Sequence, residues 1–457
     1  MRAPEMVSAR EQRLALAHGS LRRLLRRGAR EHIVKMTEKL HPAEIAHVLR
    51  HLETEERRAL FGFIEDPSVA SEVLSESDAG VCQEILEALP DERVARLFHE
   101  ISADDLTDIF ALLPEERARK VMELVRWTHG DSVKKLLMHP PDTAGGIMTP
   151  DFVGLPQEMS VEDAIGEVRR ASEAEMVFYI YVVDQGGRLV GVISLRQLLL
   201  APPGRMLRDV MTRPVWSVRS DTDQEEVARL VARYNILAIP VVDEANRLVG
   251  IVTVDDVIDV IREEATEDIL KMAGTDDKEI TSRSLLESVR LRMPWLLVTL
   301  LGGVVAMELL NRFSSSLARY FFLPAFIPAI MGMGGNVGTQ SATIVVRGLA
   351  TGRLDPKNWG RIVWRELRVG LALGLCYGVL LGLVAQIQFA EVATLGLAVG
   401  LALCSQMTTS AAVAALMPLA LQRWHVDPAV ATGPFVTTGV DILGILIYFG
   451  IALLLLP

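Results

Sequence analysis

Five long apolar stretches in the last third of this 457-residue chain constrain its fold more than any other feature. Each reaches or exceeds the ~20 residues that an α-helix needs to cross ~30 Å of hydrocarbon. Because hydrocarbon offers no water to backbone polar groups, such stretches cross it as helices. The sequence therefore predicts a membrane domain with spans at residues 293–311, 318–346, 368–389, 392–421 and 429–456.

Charge divides the chain into two parts. Residues 1–283 hold 51 acids and 36 bases, a net charge of −15, whereas residues 284–457 hold 7 acids and 11 bases, a net charge of +4. The N-terminus shows no short apolar core followed by a small-residue cleavage site, so the acidic part is predicted to stay in the cytoplasm. Three scattered cysteines and the absence of HExxH spacing argue against a disulfide framework or a zinc site.

Basic residues in the connecting segments predict the orientation of the spans. Six basic residues follow the second span, whereas the opposite side of the membrane has only Arg312 and Arg319. Because basic loops remain in the cytoplasm, the N-terminal region is predicted to lie inside and the C-terminus outside. The six residues are Arg347, Arg353, Lys357, Arg361, Arg365 and Arg368.

Two features of the predicted membrane domain indicate an ion path. Asp441 lies inside the apolar fifth span, where a carboxylate is costly unless it faces water or a partner. A protonated or hydrogen-bonded structural aspartate is the alternative. The second feature is GMGGNVGTQSAT at residues 332–343, whose glycines expose backbone beside the neutral oxygens of Asn336, Thr339, Gln340 and Ser341. Close helix packing through small residues would explain the glycines equally well.

Gly433-Pro434 precedes Asp441 by almost two helical turns and is predicted to break the fifth span, because proline leaves a carbonyl without its donor. Carboxylate and carbonyl oxygens suit Mg²⁺ or Ca²⁺ rather than thiophilic metals. Mg²⁺ retains several waters and is held through one or two carboxylates. One aspartate per chain therefore suffices if a two-fold axis joins two copies, the commonest form of oligomer.

Residues 148–260 contain an internal repeat. Residues 148–165 align with 211–228, and residues 178–199 align with 237–258. Each unit predicts a helix, a strand, a turn, a second strand and a helix. The repeated VVDxxxRLVG pattern resembles a tandem pair of cystathionine-β-synthase (CBS) modules. This resemblance implies a regulatory α/β domain, and such pairs often bind ATP or AMP between the modules.

Two further segments of the acidic part are predicted to be helical. Residues 20–135 repeat short helices that begin at proline and continue with acids, a pattern typical of a small α-solenoid. Residues 255–268 form an acidic helix whose like charges repel at three- and four-residue spacing. The alternatives are a solvated acidic face and a cation-sensitive segment that leads to the first span. Its acids are Asp255, Asp256, Asp259, Glu263, Glu264, Glu267 and Asp268.

The order of these parts resembles the MgtE magnesium channel family, most specifically in GGNVGTQSAT and DPAVATGPFVTTGVDILGILIYF. The resemblance implies a homodimer in the cell (inner) membrane, with a Mg²⁺ pore between the membrane domains and a cytoplasmic Mg²⁺ sensor that closes it. The predicted parts are a helical N-terminal domain (1–135), a tandem CBS pair (136–262), an acidic connecting or plug helix (263–292) and a five-span transmembrane pore domain (293–457).

The resemblance also implies roles for individual residues. Asp441 matches the pore aspartate that holds hydrated Mg²⁺, and Asn336 matches the asparagine that lines the pore. Asp427 matches an acid at the cytoplasmic base of the fifth span. Asn235 departs from the pattern, because it stands where a carboxylate is expected. Sensor carboxylates are implied at Asp256, Asp259, Glu264, Glu267 and Asp268, and further ones at Asp223 and Glu225.

Other functions remain open from the sequence. An exporter that exchanges a divalent cation would use Asp441 as a proton-coupled site, and a nucleotide-sensing regulator would need the spans only as an anchor. No GxxxxGK[ST] motif supports a primary pump. No nucleophile–base pattern indicates an enzyme, and no nucleic-acid partner is expected.

Overall fold

The computed structural model describes residues 3–124, 136, 138–171, 177–276, 278–281, 284–314 and 320–456. The chain divides into two compact units, Met1–Val260 and Ile261–Pro457, and each has its own apolar core. Arg319, on which the orientation argument partly rests, lies outside the described residues, as do residues 125–135 of the predicted N-terminal domain.

The first unit begins with short helices stacked in two layers. In one layer α3 packs on α5, α5 on α7 and α7 on α9, and in the other α4 packs on α6 and α6 on α8. Contacts between every second helix are the arrangement of a solenoid, which confirms the predicted all-α, solenoid-like N-terminal fold. The helices are α1 (Ala3–Arg26), α2 (Arg30–Thr37), α3 (Pro42–Arg50), α4 (Thr54–Gly62), α5 (Pro67–Ser75), α6 (Ala79–Ala88), α7 (Asp91–Leu97), α8 (Ala103–Ala111) and α9 (Glu115–Leu124).

The repeat forms two three-stranded sheets of the same topology, in which the first strand is parallel and the third antiparallel to the middle one. Val182 pairs with Gly191 in one sheet, and Val241 pairs with Gly250 in the other. The predicted tandem CBS fold is therefore confirmed. Its elements are β1 (Gly154–Pro156), α10 (Val161–Arg170), β2 (Tyr179–Val183), β3 (Leu189–Ser194), α11 (Leu195–Leu200), α12 (Leu207–Val210), β4 (Val218–Arg219), α13 (Gln224–Tyr234), β5 (Ala238–Val242) and β6 (Leu248–Thr253).

The acidic helix α14 (Val254–Ala273) is followed by Gly274, whose φ of 80° is accessible to glycine. The predicted connecting segment 263–292 is therefore not one helix, because a turn and a short helix separate α14 from the first long apolar helix. The helices that follow are α15 (Lys278–Thr281), α16 (Leu285–Arg312), α17 (Ile327–Ala350), α18 (Trp359–Gln388), α19 (Leu395–Arg423) and α20 (Pro434–Leu455).

Among the described residues, four helical segments are long and apolar enough to cross a membrane: Leu285–Arg312, Pro356–Gln388, Leu395–Arg423 and Pro434–Leu455. The remaining predicted span corresponds to α17, which has 24 residues but carries several polar side chains. The C-terminal fold of five long helices agrees with the sequence prediction.

Helix α20 continues through Asp441 without a break. Pro434 is its first residue, where a missing N–H costs no hydrogen bond, and Thr437 Oγ1 donates to Gly433 O at 3.0 Å. The predicted fifth span, 429–456, is thus interrupted at Gly433-Pro434, between a 3-10 helix (Pro428–Ala431) and α20, and not nearer to Asp441.

Helices α18 and α19 approach each other closely because glycines face the contact. A Cβ on Gly378 would lie 2.5 Å from Gly400 O, and one on Gly382 would lie 2.5 Å from Gly396 O. Small residues that let backbones approach are the usual basis of helix packing in membranes.

We expect Gly378→Ala to destabilise the protein by about 1–3 kcal/mol, because the added methyl group must force α18 and α19 apart. Thermal unfolding of the detergent-purified protein measures this effect. Gly450→Ala is the matched control, since a Cβ there meets nothing within 4 Å. Equal melting temperatures for the two variants would contradict the packing argument.

Candidate functional site

One face of α17 is polar and exposed in the single chain. Asn336, Thr339, Gln340 and Thr343 are all exposed and, with Ile344, line an open cleft of about 400 Å³. Their spacing places them along one side of an α-helix, which has 3.6 residues per turn. We call these four polar residues the polar stripe. Within a membrane, polar side chains face water or another protein surface rather than lipid.

The glycines of the same motif lie on the buried face of α17. A Cβ on Gly334 would lie 2.6 Å from Gln406 Nε2 in α19, and one on Gly338 would lie 3.3 Å from Val440 Cγ2 in α20. Close helix packing thus accounts for these glycines, whereas Asn336 lies on the exposed side. The motif therefore packs through its glycines on one face of the helix and exposes its neutral polar side chains on the other.

Ser341 does not belong to the polar stripe, contrary to its grouping with the neutral oxygens in the sequence. It is buried, and its Oγ donates to Glu366 Oε2 at 3.0 Å. Glu366, in α18, is only 4 % exposed, and the sequence analysis missed it. A signal was present, because it is an acid placed between Arg365 and Arg368 at the edge of the third apolar stretch.

Asp441 is partly buried on α20 between two helix contacts. Thr437 packs against Gly335 of α17, and a side chain at Gly302 of α16 would collide with Thr438. Asp441 lies about 40° round the helix from Thr437 and about 60° from Thr438, so it faces the gap between α16 and α17. Within the described residues, Asp441 has no hydrogen-bond or ion-pair partner, which removes the support for a hydrogen-bonded structural aspartate.

The end of α14 contacts the start of the helix that bears Asp441. A Cβ on Gly274 would lie 3.3 Å from Pro434 Cδ, and one on Gly433 would lie 3.2 Å from Met272 O. Beside these contacts, Lys271 Nζ lies 2.7 Å from Asp427 Oδ2 and also bonds Glu267. We call the cluster formed by Glu267, Asp268, Lys271, Arg347 and Asp427 the junction.

Negative charge exceeds positive charge in the junction, which has three carboxylates and two bases. Burial, followed by the nearby Asp427 carboxylate, raises the pKa of Asp268, although Arg347 and Lys271 oppose the shift. Burial alone would lower the pKa of Lys271, but its bonds to Asp427 and Glu267 raise it above the usual range. The cluster is therefore an incompletely neutralised site that suits a further cation.

In the described part of the chain, no three His, Cys, Asp or Glu side chains stand close enough to enclose a metal ion. A Mg²⁺ ion that keeps its waters needs only one or two carboxylates, so the junction fits that ion without such an enclosure.

The other predicted site residues are not brought into the junction. Asp256 caps α14 by accepting from Thr253 N at 3.2 Å, and Asp223 caps α13 by accepting from Glu225 N at 2.9 Å. Asn235 ends α13 in the left-handed conformation, with φ of 52°, which asparagine tolerates better than most residues. Asp259 is exposed on α14 and Glu264 is partly buried there.

We expect Asp268→Asn to raise the melting temperature of the purified protein in a divalent-free buffer at pH 7. The folded state binds a proton at Asp268 more tightly than the unfolded chain does, so the ionised group destabilises it at neutral pH. This penalty diminishes as the pH falls through the raised pKa of Asp268 and is gone below the ordinary aspartate pKa, so the variant should show less change in stability over that interval than the wild type.

Added Mg²⁺ should also raise the melting temperature of the wild type more than that of Asp268→Asn. A variant that melts like the wild type at both pH values and responds equally to Mg²⁺ would contradict the charge imbalance of the junction.

Family sequence models match the chain in the order of its folded parts. The model described as the MgtE intracellular N domain matches residues 40–142, the CBS domain matches 144–204 and 207–263, and MgtE, described as a divalent cation transporter, matches 327–451.

Curated relatives match nearly the whole chain. The magnesium transporter MgtE of Thermus thermophilus is 39% identical over 452 residues, which cover 98% of this chain and 99% of that protein. The magnesium transporter MgtE of Bacillus subtilis is 34% identical over 432 residues, which cover 94% and 95%.

Two solved structures resemble about half of the chain. The cytosolic domain of the Mg²⁺ channel MgtE in complex with ATP has a TM-score of 0.51 and 39% identity, covering 53% of this chain and 99% of that one. The soluble part of a magnesium transporter has a TM-score of 0.50 and 30% identity, covering 55% and 99%. With this similarity along almost its entire length, the chain belongs to the MgtE family of magnesium transporters, which are membrane proteins and not enzymes.

Proposed function

We propose that two copies of this chain form a Mg²⁺-selective channel for magnesium uptake, which closes when cytoplasmic Mg²⁺ binds. The observation that carries the proposal is the exposed polar stripe of α17, next to a helix on which Asp441 is unpartnered within the described residues. Such groups are stable at membrane depth only against water or a second protein surface.

The simplest source of that second protein surface is another copy of the same chain, related to the first by a two-fold axis. The polar stripe lines a cleft that is open in the single chain, and Asp441 lies on the neighbouring helix α20. Symmetric pairing turns the same surface of two copies toward each other, so that both stripes and both Asp441 carboxylates border a common water-filled path.

The ion path is suited to hydrated Mg²⁺. The oxygens of Asn336, Thr339 and Gln340 can accept hydrogen bonds from the waters of the ion, and the Asp441 pair supplies negative charge. Each charge gains about 2.3 kcal/mol from a potential of ~100 mV, and a divalent cation gains twice that amount. With the N-terminus in the cytoplasm, as the basic loops predict, the potential drives Mg²⁺ inward.

Gating follows from the contact between α14 and the start of α20. The end of α14 packs on Gly433 and Pro434, so its displacement changes the support of the helix that bears Asp441. Mg²⁺ bound at the junction would supply the positive charge that its carboxylates lack. With the repulsion between Asp268 and Asp427 relieved, α14 stays docked, and this docked state is the proposed closed state.

The remaining predicted sensor carboxylates are proposed to act in the same way, by favouring the docked state when their charge is neutralised. These carboxylates are Asp223, Glu225, Asp256, Asp259 and Glu264.

The solved relative with ATP bound at its cytosolic domain supports a further proposal, that the CBS pair of this chain binds an adenine nucleotide.

We expect Asp441→Ala to lower Mg²⁺ flux into proteoliposomes about tenfold or more, because each 1.4 kcal/mol of lost ion stabilisation is a factor of ten. Glu308→Ala is the matched control, since Glu308 is an exposed acid near the end of α16. Normal flux through Asp441→Ala would refute the ion path. Strict dependence on a proton or sodium gradient would instead favour an exchanger, and nucleotide binding without any flux would favour a regulator.

We expect Asp268→Asn to conduct less than the wild type when the cytoplasmic side contains no Mg²⁺, because the junction then stays docked without the ion. Flux measured against rising Mg²⁺ on that side should fall steeply for the wild type and little for the variant. Glu391→Gln, an exposed acid between α18 and α19, should behave like the wild type. If rising Mg²⁺ lowers the flux through Asp268→Asn as steeply as it lowers the flux through the wild type, the junction is not the sensor.

A further inference from the structure

Gln406 is a fully buried amide at the crossing of α17, α19 and α20. Its side chain is 0% exposed, and its Nε2 donates to Val440 O at 2.8 Å. Its Oε1 is buried without a hydrogen-bond partner in the described part of the chain. Half of the amide is therefore bonded and half is unsatisfied.

Each of two neighbouring helices has a glycine where it contacts this amide, so that no side chain occupies the space of the amide. A Cβ on Gly334 of α17 would lie 2.6 Å from Gln406 Nε2, and one on Gly444 of α20 would lie 2.8 Å from the same atom. Gly334 belongs to the glycine motif of α17, and Gly444 lies one turn beyond Asp441. Both helices of the proposed ion path thus enclose the Gln406 amide.

Stability alone does not explain an amide at this place. An unbranched apolar side chain such as methionine would fill the same space without leaving a buried acceptor unpaired, which is unfavourable. What the amide adds is a directed bond between α19 and one carbonyl of α20. Because Val440 precedes Asp441, this bond restrains the rotation of α20 about its axis and therefore the direction of the Asp441 side chain.

We propose that Gln406 is a positioning residue, which directs Asp441 toward the ion path through its bond to the Val440 carbonyl and does not itself contact the ion. The proposal rests on the function proposed above, since it needs Asp441 to hold Mg²⁺. A small rotation of α20 would move the carboxylate away from its symmetric partner and weaken ion binding more than it weakens the fold.

The test is Gln406→Met in the full-length protein, with Mg²⁺ flux into proteoliposomes measured over a range of external Mg²⁺. We expect a melting temperature equal to or above that of the wild type. The half-saturating Mg²⁺ concentration should rise about tenfold, with a smaller change in maximal flux. A merely structural role would change stability and maximal flux together and leave half-saturation unaltered.

Gln386→Met is the matched control, because Gln386 also bridges helices through its amide but lies away from Asp441. Its Nε2 donates to Val392 O at 3.3 Å, and its Oε1 accepts from Gly396 N at 3.2 Å. Both of its polar atoms are satisfied, so we expect this variant to be less stable than the wild type. Its half-saturating Mg²⁺ concentration should be unchanged.

An unaltered half-saturating concentration in folded Gln406→Met overturns the inference. If that variant does not fold, Gln406→Asn provides the same test, since it keeps the amide but is one methylene too short to reach Val440 O. Normal flux through Asp441→Ala would overturn the proposed function itself. Lost flux in Asp441→Ala together with wild-type half-saturation in the Gln406 variants would overturn only the role of Gln406.

Discussion

The insolubility of polar groups in hydrocarbon is the constraint on which the membrane part of this protein depends. This constraint explains both the buried face and the open face of α17. Gly334 and Gly338 let the buried face pack closely on α19 and α20, which places Asn336 and the rest of the polar stripe on the open face. Because that face cannot rest against lipid, the helix is stable only beside water or a second copy, and both belong to the proposed pore.

The proposed control of the pore uses an equally local contact. Helix α14 ends at Gly274, against Pro434, and the Lys271–Asp427 bond holds the two segments together. The same bond does not neutralise the carboxylates, because Asp268 lies close enough to Asp427 for the two to repel. A junction that is packed but not electrically balanced can respond to a divalent cation, whereas a balanced salt bridge would hold the helix in place at every Mg²⁺ concentration.

Most of the fold could be predicted from the sequence because its signals are local. Repetition, strand alternation and apolar run length predict the solenoid, the CBS pair and the long C-terminal helices without any tertiary information. The local signal at Pro434 likewise marks an interruption, and only the structure shows that it lies at the start of α20. Its local effect, the loss of a donor, is real, but at the first residue of α20 that donor has no helical partner to lose.

The sequence by itself determined the long apolar segments and that Asp441 and Asn336 lie in two of them, because hydropathy and residue type are properties of each position. Only the tertiary structure decided that Ser341 bonds Glu366, that Lys271 joins Asp427, and that Gln406 holds the carbonyl before Asp441. These bonds join residues far apart in the chain. Their formation depends on how helices rotate and approach one another when glycines permit close packing, and no single stretch of sequence contains that information.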